Sequence, residues 1–136
     1  MEISVIVPSF NEEKNVPLIY ERLTSTLSQI SDDYEIIFVN DCSKDSTLSV
    51  IKQISEKDSH VKYISFSRNF GHQIAVSAGL DPCKGEAVVI IDANLQNPPE
   101  LILEMYEKYK EGYKVVYAKR KSREGETWFK KITAKL

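Results

Sequence analysis

Glycine is scarce in this chain, with five residues among 136. The sequence contains neither G-x-G-x-x-G after the first apolar run nor G-x-x-x-x-G-K-S/T at any position. These two loops wrap phosphate groups in backbone N–H donors, so their absence excludes the usual dinucleotide and P-loop modes of phosphate binding. If the protein binds a diphosphate, side chains or a cation must meet its charge.

Disulfide frameworks, cysteine metal sites and long apolar runs are missing as well. The two cysteines, Cys42 and Cys83, lack metal-ligand spacing and are expected to be reduced thiols in a cytosolic setting. No stretch approaches the roughly 20 apolar residues of a membrane span, and the N-terminus lacks a basic leader with a cleavage site. The sequence therefore predicts one soluble, unprocessed cytoplasmic domain.

Charge is unevenly distributed, although the net charge is only −2. Residues 119–136 carry seven Lys or Arg and two Glu, a balance of +5, which leaves −7 for residues 1–118. An acidic body argues against a general nucleic-acid-binding protein, which would present a basic face. The basic segment also contains Trp128 and Phe129. This pattern fits either peripheral contact with an anionic membrane or a solvated terminus.

Apolar runs rich in β-branched residues alternate with helical patterns along the whole chain. The runs lie at 3–8, 35–40, 61–66, 86–92 and 113–118 and are continuous, as in strands covered on both faces. Repetition of strand, helix and strand predicts right-handed crossovers. The expected fold class is therefore α/β, with an open, mostly parallel sheet and helices on both faces.

Four helices are expected between these strands. The first carries an apolar stripe from Val16 to Ile30 at steps of three and four residues. The second is capped by Ser43 or Asp45, the third covers roughly residues 72–80, and the fourth starts at the Pro98-Pro99 pair.

Polar clusters follow each of the first four strands. They read PSFNE, NDCSKDST, SRNFGHQ and DANLQN. Any one of them could be local turn chemistry, because Asn, Asp and Ser favour turns and caps. Ligands of open α/β sheets, however, bind beyond the carboxyl ends of the strands, and these four clusters would meet there. The sequence therefore predicts a binding crevice at this edge.

The residues of the crevice suggest what it holds. Asp92 offers a carboxylate and Asn94 and Gln96 offer amide oxygens, a set that suits Mg²⁺ or Mn²⁺ completed by water and substrate phosphates. Arg68 lies nearby. The carboxylates of Glu12 and Asp41 accept hydrogen bonds only, so they suit a uracil imide N–H or ribose hydroxyls. An N-cap or Asx turn is the alternative role for Asp41.

Taken in order, these motifs resemble those of family 2 glycosyltransferases. The match runs over P-S-F-N-E (8–12), V-N-D-C-S-K-D-S-T (39–47), S-R-N-F-G-H-Q (67–73), A-G-L-D (78–81), D-A-N-L-Q-N-P-P-E (92–100) and R-E-G-E-T-W-F-K (123–130). Within the family, the sequence is most similar to the polyprenyl-phosphate group, which includes bactoprenol glucosyltransferase and dolichol-phosphate mannose synthase. The resemblance implies the N-terminal part of a truncated glycosyltransferase A-type fold that uses a UDP- or GDP-sugar and a divalent metal.

The resemblance also implies roles for particular residues. Asp92 and Arg68 would be catalytic, and Asp92, Asn94 and Gln96 would bind the metal. The substrate-binding set would be Pro8, Phe10, Asn11, Glu12, Asp41, Arg68, Asn69, Gln73, Asp92, Ala93 and Asn94. A sugar would move with inversion to a polyprenyl phosphate or related cell-envelope acceptor at the cytoplasmic face of the membrane.

The family pattern divides the chain into residues 1–118, a nucleotide-sugar-binding domain, and residues 119–136, a basic amphipathic tail that begins the acceptor and membrane-facing half. A homo-oligomer is possible, but the sequence does not determine the oligomeric state.

Two asparagines depart from the family pattern, which has Asp at the positions of Asn94 and Asn97. Asparagine keeps the oxygen acceptor but loses the charge that a hard dication favours. A truncated or degenerate, non-catalytic nucleotide-sugar-binding domain is therefore the alternative hypothesis.

His72 is interpreted as a residue at the start of a helix rather than a replacement ligand. A flavodoxin-like domain would share the strand and helix order but would leave Arg68 and the Asp92 region unexplained.

Overall fold

The computed structural model describes residues 1–111 and the backbone of residues 115–120 and 127–132. Strands and helices alternate over the first 111 residues, as the apolar runs predict. The strands are β1 (Ile3–Ser9), β2 (Tyr34–Asn40), β3 (Val61–Ser65), β4 (Ala87–Ile90), β5 (Val115–Arg120) and β6 (Thr127–Ile132). The helices are α1 (Asn15–Ser28), α2 (Thr47–Lys57), α3 (His72–Leu80) and α4 (Leu101–Lys110).

Four of the strands form one parallel sheet in the order β3-β2-β1-β4. The chain first builds outward from β1 to β2 and β3, and then returns to place β4 on the other side of β1. Because each crossover is right-handed, this reversal sends the helix between β3 and β4 to the opposite face of the sheet. The predicted open parallel sheet is confirmed, and its switch point lies between β1 and β4.

The core lies on both faces of this sheet. Side chains alternate along β1, so Val5 and Val7 pack with buried residues of α1, α2 and α4, whereas Ile6 packs with Val39 and Ala75 on the face covered by α3. The predicted stripe of α1 is confirmed from Val16 to Leu27, because the buried apolar residues of the helix are Val16, Ile19, Leu23 and Leu27. Ile30, the last residue of the predicted stripe, lies beyond the end of α1 and is partly buried. Double coverage explains why strands β1 and β2 are buried at every position.

Helix α3 approaches the sheet closely at Gly79. A Cβ atom at this position would lie 2.5 Å from Cγ2 of Ile6 and 3.3 Å from Cγ2 of Val39. Both distances are shorter than ordinary van der Waals contact, so only glycine fits without displacement. This contact sets the distance between α3 and the strands β1 and β2, and therefore also the position of the first residue of α3, His72.

Two helix starts differ from the expectation. The N-cap of α2 is Ser46, whose side chain makes no capping bond. Ser43 instead accepts the N–H of Asn11, and Asp45 accepts the N–H of Thr47 at 2.9 Å. Helix α4 begins at Leu101, because the carbonyl groups of Pro98 and Pro99 form a turn with the N–H groups three residues ahead.

The C-terminal strands also differ from the expectation. The run predicted at 113–118 is β5, which covers 115–120 and pairs antiparallel with β6 in a separate two-stranded sheet. The sequence does not predict β6, which lies within the basic segment 119–136. The boundary at residue 118 falls inside β5, and the division of the chain there stays a prediction.

Candidate functional site

The loops that follow β1 to β4 lie side by side because the strand pairing continues past the strand ends. The N–H of Asp41 donates to the carbonyl of Ser9 at 2.9 Å, and the N–H of Ala93 donates to the carbonyl of Pro8 at 3.3 Å. On the other side, the N–H of Phe66 donates to the carbonyl of Asn40 at 2.9 Å. The four polar clusters are thus brought to one edge of the sheet, as predicted.

Each of these four loops contains one residue with positive φ. They are Asn11 (54°), Cys42 (56°), Gly71 (95°) and Leu95 (60°). Only glycine, and to a lesser degree Asn and Asp, adopts this region readily, and such residues concentrate at functional sites. The four loops that carry these residues border one space at the strand ends.

That space is a cavity of about 330 Å³, a size typical of small-molecule sites. Its lining residues are Pro8, Ser9, Phe10, Glu12, Asp41, Asn69, Gly71, His72, Ala75, Asp92, Ala93 and Asn94. Eight of the residues expected from the sequence are among them, including both Asp41 and Asp92. Four expected residues, Asn11, Arg68, Gln73 and Gln96, are not part of the lining.

Asp41 holds the loop after β3. Its carboxylate accepts the N–H of Phe70 at 2.7 Å through Oδ1 and the N–H of Gly71 at 3.0 Å through Oδ2. The residue is 5% exposed. Neither the N-cap nor the Asx turn considered for Asp41 occurs. The carboxylate instead joins the loop after β2 to the loop after β3 and still lines the cavity.

Asn11 and Glu12 organise the loop after β1. The side-chain oxygen of Asn11 accepts the N–H of Lys44 at 2.8 Å, so Asn11 connects two loops rather than facing the cavity. Glu12 does face the cavity, and its Oε2 accepts the side-chain amide of Asn15 at 2.7 Å. Its Oε1 makes no hydrogen bond within the described residues, so it can accept one from a ligand.

Arg68 is exposed, and its guanidinium carbon lies 4.5 Å from the ring centroid of Phe70. This cation–π contact holds the guanidinium over the Phe70 ring. Phe70 in turn meets Phe66 edge to face, with ring centroids 5.2 Å apart. Arg68 would have to leave the Phe70 ring to reach a ligand in the cavity.

Asp92 and His72 meet across the cavity edge. Nε2 of His72 lies 2.7 Å from Oδ1 of Asp92, and the two side chains are 59% and 45% exposed. His72 is the first residue of α3, as interpreted from the sequence, but it also lines the cavity. The sequence signal that could have placed it there is its position in S-R-N-F-G-H-Q, directly after the loop that Asp41 holds.

Asn94 and Gln96 differ in their relation to the cavity. The side-chain oxygen of Asn94 accepts the N–H of Gln96 at 3.1 Å in an Asx turn, and Asn94 lines the cavity. Gln96 is exposed and lies outside the lining. Asn97 borders a separate cavity of about 20 Å³ next to α4, and its Oδ1 is buried without a partner among the described residues. Of the two asparagine departures, only Asn94 therefore touches the site.

The residues present suit a cation that takes most of its ligands from elsewhere. No cluster of three or more His, Cys, Asp or Glu occurs within the described ranges. One carboxylate from Asp92 and one amide oxygen from Asn94 do lie together on the cavity wall. Mg²⁺ and similar ions are commonly held by one or two carboxylates, water and substrate phosphates, so this donor set fits such an ion.

Comparison with known sequences gives a family match and close relatives. The family model described as "Glycosyl transferase family 2" matches residues 4–135. The chain is 54% identical to "Uncharacterized glycosyltransferase YkcC" of Bacillus subtilis (strain 168), over all of this chain and 42% of that protein. It is 42% identical to "Prophage bactoprenol glucosyl transferase homolog" of Escherichia coli (strain K12), over 98% of this chain and 44% of that protein.

A third relative is the "Undecaprenyl-phosphate 4-deoxy-4-formamido-L-arabinose transferase" of Proteus mirabilis (strain HI4320), which is 36% identical over 99% of this chain and 41% of its own length. The chain thus spans less than half the length of the curated relatives that it matches.

Two solved structures share the fold and contain ligands. S. aureus TarS 1-349 in complex with UDP-GlcNAc superposes with a TM-score of 0.62 and 28% identity, over 83% of this chain and 32% of TarS. Mannosyltransferase PcManGT from Pyrobaculum calidifontis, in complex with GDP-Man and Mn²⁺, gives a TM-score of 0.59 and 29% identity, over 75% of this chain and 30% of that protein.

Proposed function

This chain belongs to glycosyl transferase family 2 and has the glycosyltransferase A-type fold, and from this we propose that its cavity binds the nucleoside diphosphate of a nucleotide sugar. One observation supports the proposal most directly. Asp41 and Asp92 are 51 positions apart in the chain, yet both line one cavity at the carboxyl ends of parallel strands. This is the ligand position expected for open α/β sheets.

The base and ribose are proposed to occupy the side of the cavity formed by the loops after β1 and β2. Phe10 is 42% exposed at this side and offers an aromatic ring for contact with a base. Glu12 and Asp41 provide acceptors for ribose hydroxyls or a base imide N–H. Asn69 completes this wall, and its side-chain amide donates to the carbonyl of Asp41 at 3.3 Å.

The diphosphate is proposed to lie toward Asp92 and Asn94. These residues would hold Mg²⁺ or Mn²⁺, which when bound would neutralise the charge of the diphosphate. Ala93 lies between them, and its N–H is occupied by the carbonyl of Pro8. This bond ties the loop to β1, and the side chains of Asp92 and Asn94 are proposed to meet the ligand from the cavity wall.

For the whole protein, we propose transfer of the sugar to a polyprenyl phosphate or related cell-envelope acceptor with inversion. A phosphate oxygen of the acceptor would attack the anomeric carbon while the bond to the nucleoside diphosphate breaks, and the leaving group would keep the bonding electron pair. A phosphomonoester has its second pKa at about 6 and is already an oxyanion near neutral pH, so a strong general base is not required.

Arg68 is proposed to stabilise the departing diphosphate. This role requires the guanidinium to move from the Phe70 ring into the cavity, which its exposed position permits. The basic segment 119–136 is proposed to contact the acceptor headgroup at the cytoplasmic face of a membrane. None of the described helices has the length and apolar character needed to cross a bilayer.

The first test is calorimetric titration of UDP, GDP and their sugars into the chain, with and without Mn²⁺. We expect one nucleoside diphosphate to bind, and to bind more tightly with Mn²⁺. Absence of binding for all of these ligands in both conditions would overturn the proposal.

A non-catalytic nucleotide-sugar-binding protein is the second candidate, and the Asx turn at Asn94 favours it because the amide oxygen is already engaged and uncharged. Asn94→Asp separates the two. In an enzyme with a weakened cation site, the substitution should raise sugar transfer to polyprenyl phosphate in vesicles. Nucleotide binding without transfer by the whole protein, with or without the substitution, would leave the non-catalytic function.

A further inference from the structure

We propose that His72 is a direct ligand of the divalent cation, together with Asp92 and Asn94, and that its imidazole makes the site selective for Mn²⁺ over Mg²⁺. The inference rests on the proposed function, because the cation in question is the one that accompanies the nucleoside diphosphate. His72 lies outside the D-x-N-x-Q stretch in which the sequence suggested the ligands.

The geometry of the pair carries the inference. Nε2 of His72 and Oδ1 of Asp92 are 2.7 Å apart, and both residues line the cavity. In octahedral coordination, two ligand atoms at adjacent coordination sites, each about 2.1 Å from the metal, lie about 3.0 Å apart. A small outward movement of either side chain therefore converts the hydrogen-bonded pair into two adjacent metal ligands.

The backbone on each side of the pair is fixed. His72 follows Gly71, whose N–H is held by the buried carboxylate of Asp41. Farther along α3, Gly79 sits against the side chains of the sheet. Asp92 precedes Ala93, whose N–H pairs with β1. The two ligand atoms thus meet because two independently anchored segments bring them together.

The chemistry explains the expected selectivity. The site contains one carboxylate, and the second oxygen donor is the neutral Asn94, so it offers little of the charge that Mg²⁺ favours. An imidazole nitrogen is a better donor for transition ions than for Mg²⁺, and this includes Mn²⁺ although Mn²⁺ has the lowest affinity of the first-row divalent ions at such sites. His72 would therefore compensate for the missing carboxylate more effectively with Mn²⁺ than with Mg²⁺.

The test measures the nitrogen ligand itself. Mn²⁺ and UDP are added to the full chain, and electron spin echo spectroscopy detects coupling of the Mn²⁺ electrons to an imidazole nitrogen. The chain has two histidines, so selective ¹⁵N-histidine labelling limits the source to His60 or His72. We expect coupling in the unsubstituted chain and in the matched control His60→Gln, and its loss in His72→Gln.

Affinity provides a second readout. His72→Gln should weaken Mn²⁺ binding in the presence of UDP by about tenfold or more, a loss of the size seen when metal sites lose a supporting residue. Its effect on Mg²⁺ should be smaller than its effect on Mn²⁺. Circular dichroism of each variant confirms that the fold is retained.

The outcomes separate this inference from the proposed function. If Mn²⁺ and UDP bind together without nitrogen coupling, the inference is overturned and the nucleotide site remains. Equal weakening of Mg²⁺ and Mn²⁺ by His72→Gln would also overturn it, because His72 would then only position Asp92. If Mn²⁺ and UDP do not bind the chain at all, the proposed function and the inference fail together.

Discussion

The carboxylate of Asp41, at the end of β2, accepts the N–H of Gly71 across 30 positions of the chain at a distance of 3.0 Å. A second N–H, that of Phe70, reaches the other oxygen at 2.7 Å. One buried side chain therefore sets the conformation of the loop that carries Asn69 and leads into His72. The loop and the cavity wall depend on the same group.

The first prediction concerns this group. Asp41→Asn keeps one acceptor but turns an NH₂ toward a backbone N–H, so one donor of the loop loses its partner. These N–H groups are partly buried, so the cost of leaving one unsatisfied is at most about 1–3 kcal/mol, the value typical of a fully buried donor. We expect faster hydrogen exchange at Phe70 and Gly71 together with weaker UDP binding, measured by NMR and calorimetry.

The matched control is Asp81→Asn, at an exposed carboxylate after α3, which should change neither quantity. Loss of UDP binding in Asp41→Asn with unchanged exchange at Phe70 and Gly71 would contradict a positioning role and would indicate direct contact with the ligand alone.

The second prediction concerns Glu35, which is 1% exposed at the opposite end of the sheet. Its Oε2 accepts the hydroxyl of Ser4 at 2.6 Å and the N–H of Lys84 at 2.7 Å. Its Oε1 accepts from Nζ of Lys62 at 2.7 Å. Burial by itself would raise the pKa of Glu35, but these hydrogen bonds outweigh burial and lower the pKa.

Glu35→Gln should therefore reduce the free energy of unfolding at neutral pH by about 1–3 kcal/mol, because Gln cannot accept all three donors. A carboxyl group with a lowered folded-state pKa stabilises the fold above its ordinary value of 4.5, and this contribution is lost as the pH falls through the folded-state pKa. Urea unfolding at pH 7 and below pH 4.5 should show the difference between the two proteins shrinking on acidification. The matched comparison is Glu86→Gln at an exposed position, which should leave the unfolding free energy at pH 7 within about 0.5 kcal/mol.

The third prediction concerns His60, whose ring stacks on Tyr34 with centroids 4.1 Å apart. Nδ1 lies 2.9 Å from Oδ1 of Asp58, and Nε2 lies 3.1 Å from the carbonyl oxygen of Asp32. Both partners can only accept, so both bonds form only when the ring carries two protons. The bond to Asp58 is the main reason that the pKa of His60 is raised above 6.5.

Because the folded-state pKa is raised, the stabilisation by His60 is complete below pH 6.5 and is lost as the pH rises through the folded-state pKa. We expect the unfolding free energy of the unsubstituted chain to exceed that of His60→Gln at pH 6 by more than at pH 8.5. Chemical denaturation at the two values measures this. A constant difference would show that the stacked ring, and not its charge, provides the stabilisation.

The fourth prediction concerns Gly79. In Gly79→Ala, the new methyl group would overlap with Ile6, and overpacking of this kind costs about 1–3 kcal/mol. This exceeds the gain of up to about 1 kcal/mol in helix propensity. We expect a lower unfolding free energy, and weaker UDP binding because α3 moves together with His72.

Ser77→Ala, on an exposed position of the same helix, is the comparison. It should leave the unfolding free energy within about 0.5 kcal/mol, as surface substitutions usually do. A Gly79→Ala protein as stable as the original would show that α3 can lift from the sheet without cost.

Much of the site was predictable because it follows from sheet topology. Once β1 to β4 are recognised as parallel strands, Asp41 and Asp92 must meet at one edge, and the structure places them in one cavity. The start of α3 at His72 was also predictable, because Gly71 ends the preceding loop. These features depend only on the order of strands and helices along the chain.

The remaining features depend on loop conformations that no local pattern specifies. Asn11 and Asn94 use their side-chain oxygens to close loops, and in the sequence they cannot be told apart from ligands. Arg68 reaches Phe70 rather than the cavity because an aromatic ring lies two residues away. The pairing of β5 with β6 was missed because their polar and apolar residues do not alternate regularly.

The four residues with positive φ have a consequence for recognition. The loops that carry them also carry lining residues of the cavity. Loops whose bends are already set lose little backbone freedom when a small molecule binds, so less of the interaction energy is offset by ordering of the chain. Cys42 and Leu95, which lack the freedom of glycine, hold these shapes at the expense of folding stability. We therefore expect the backbone of these loops to keep its conformation on ligand binding, and the side chains of His72, Asp92 and Arg68 to be the groups that move.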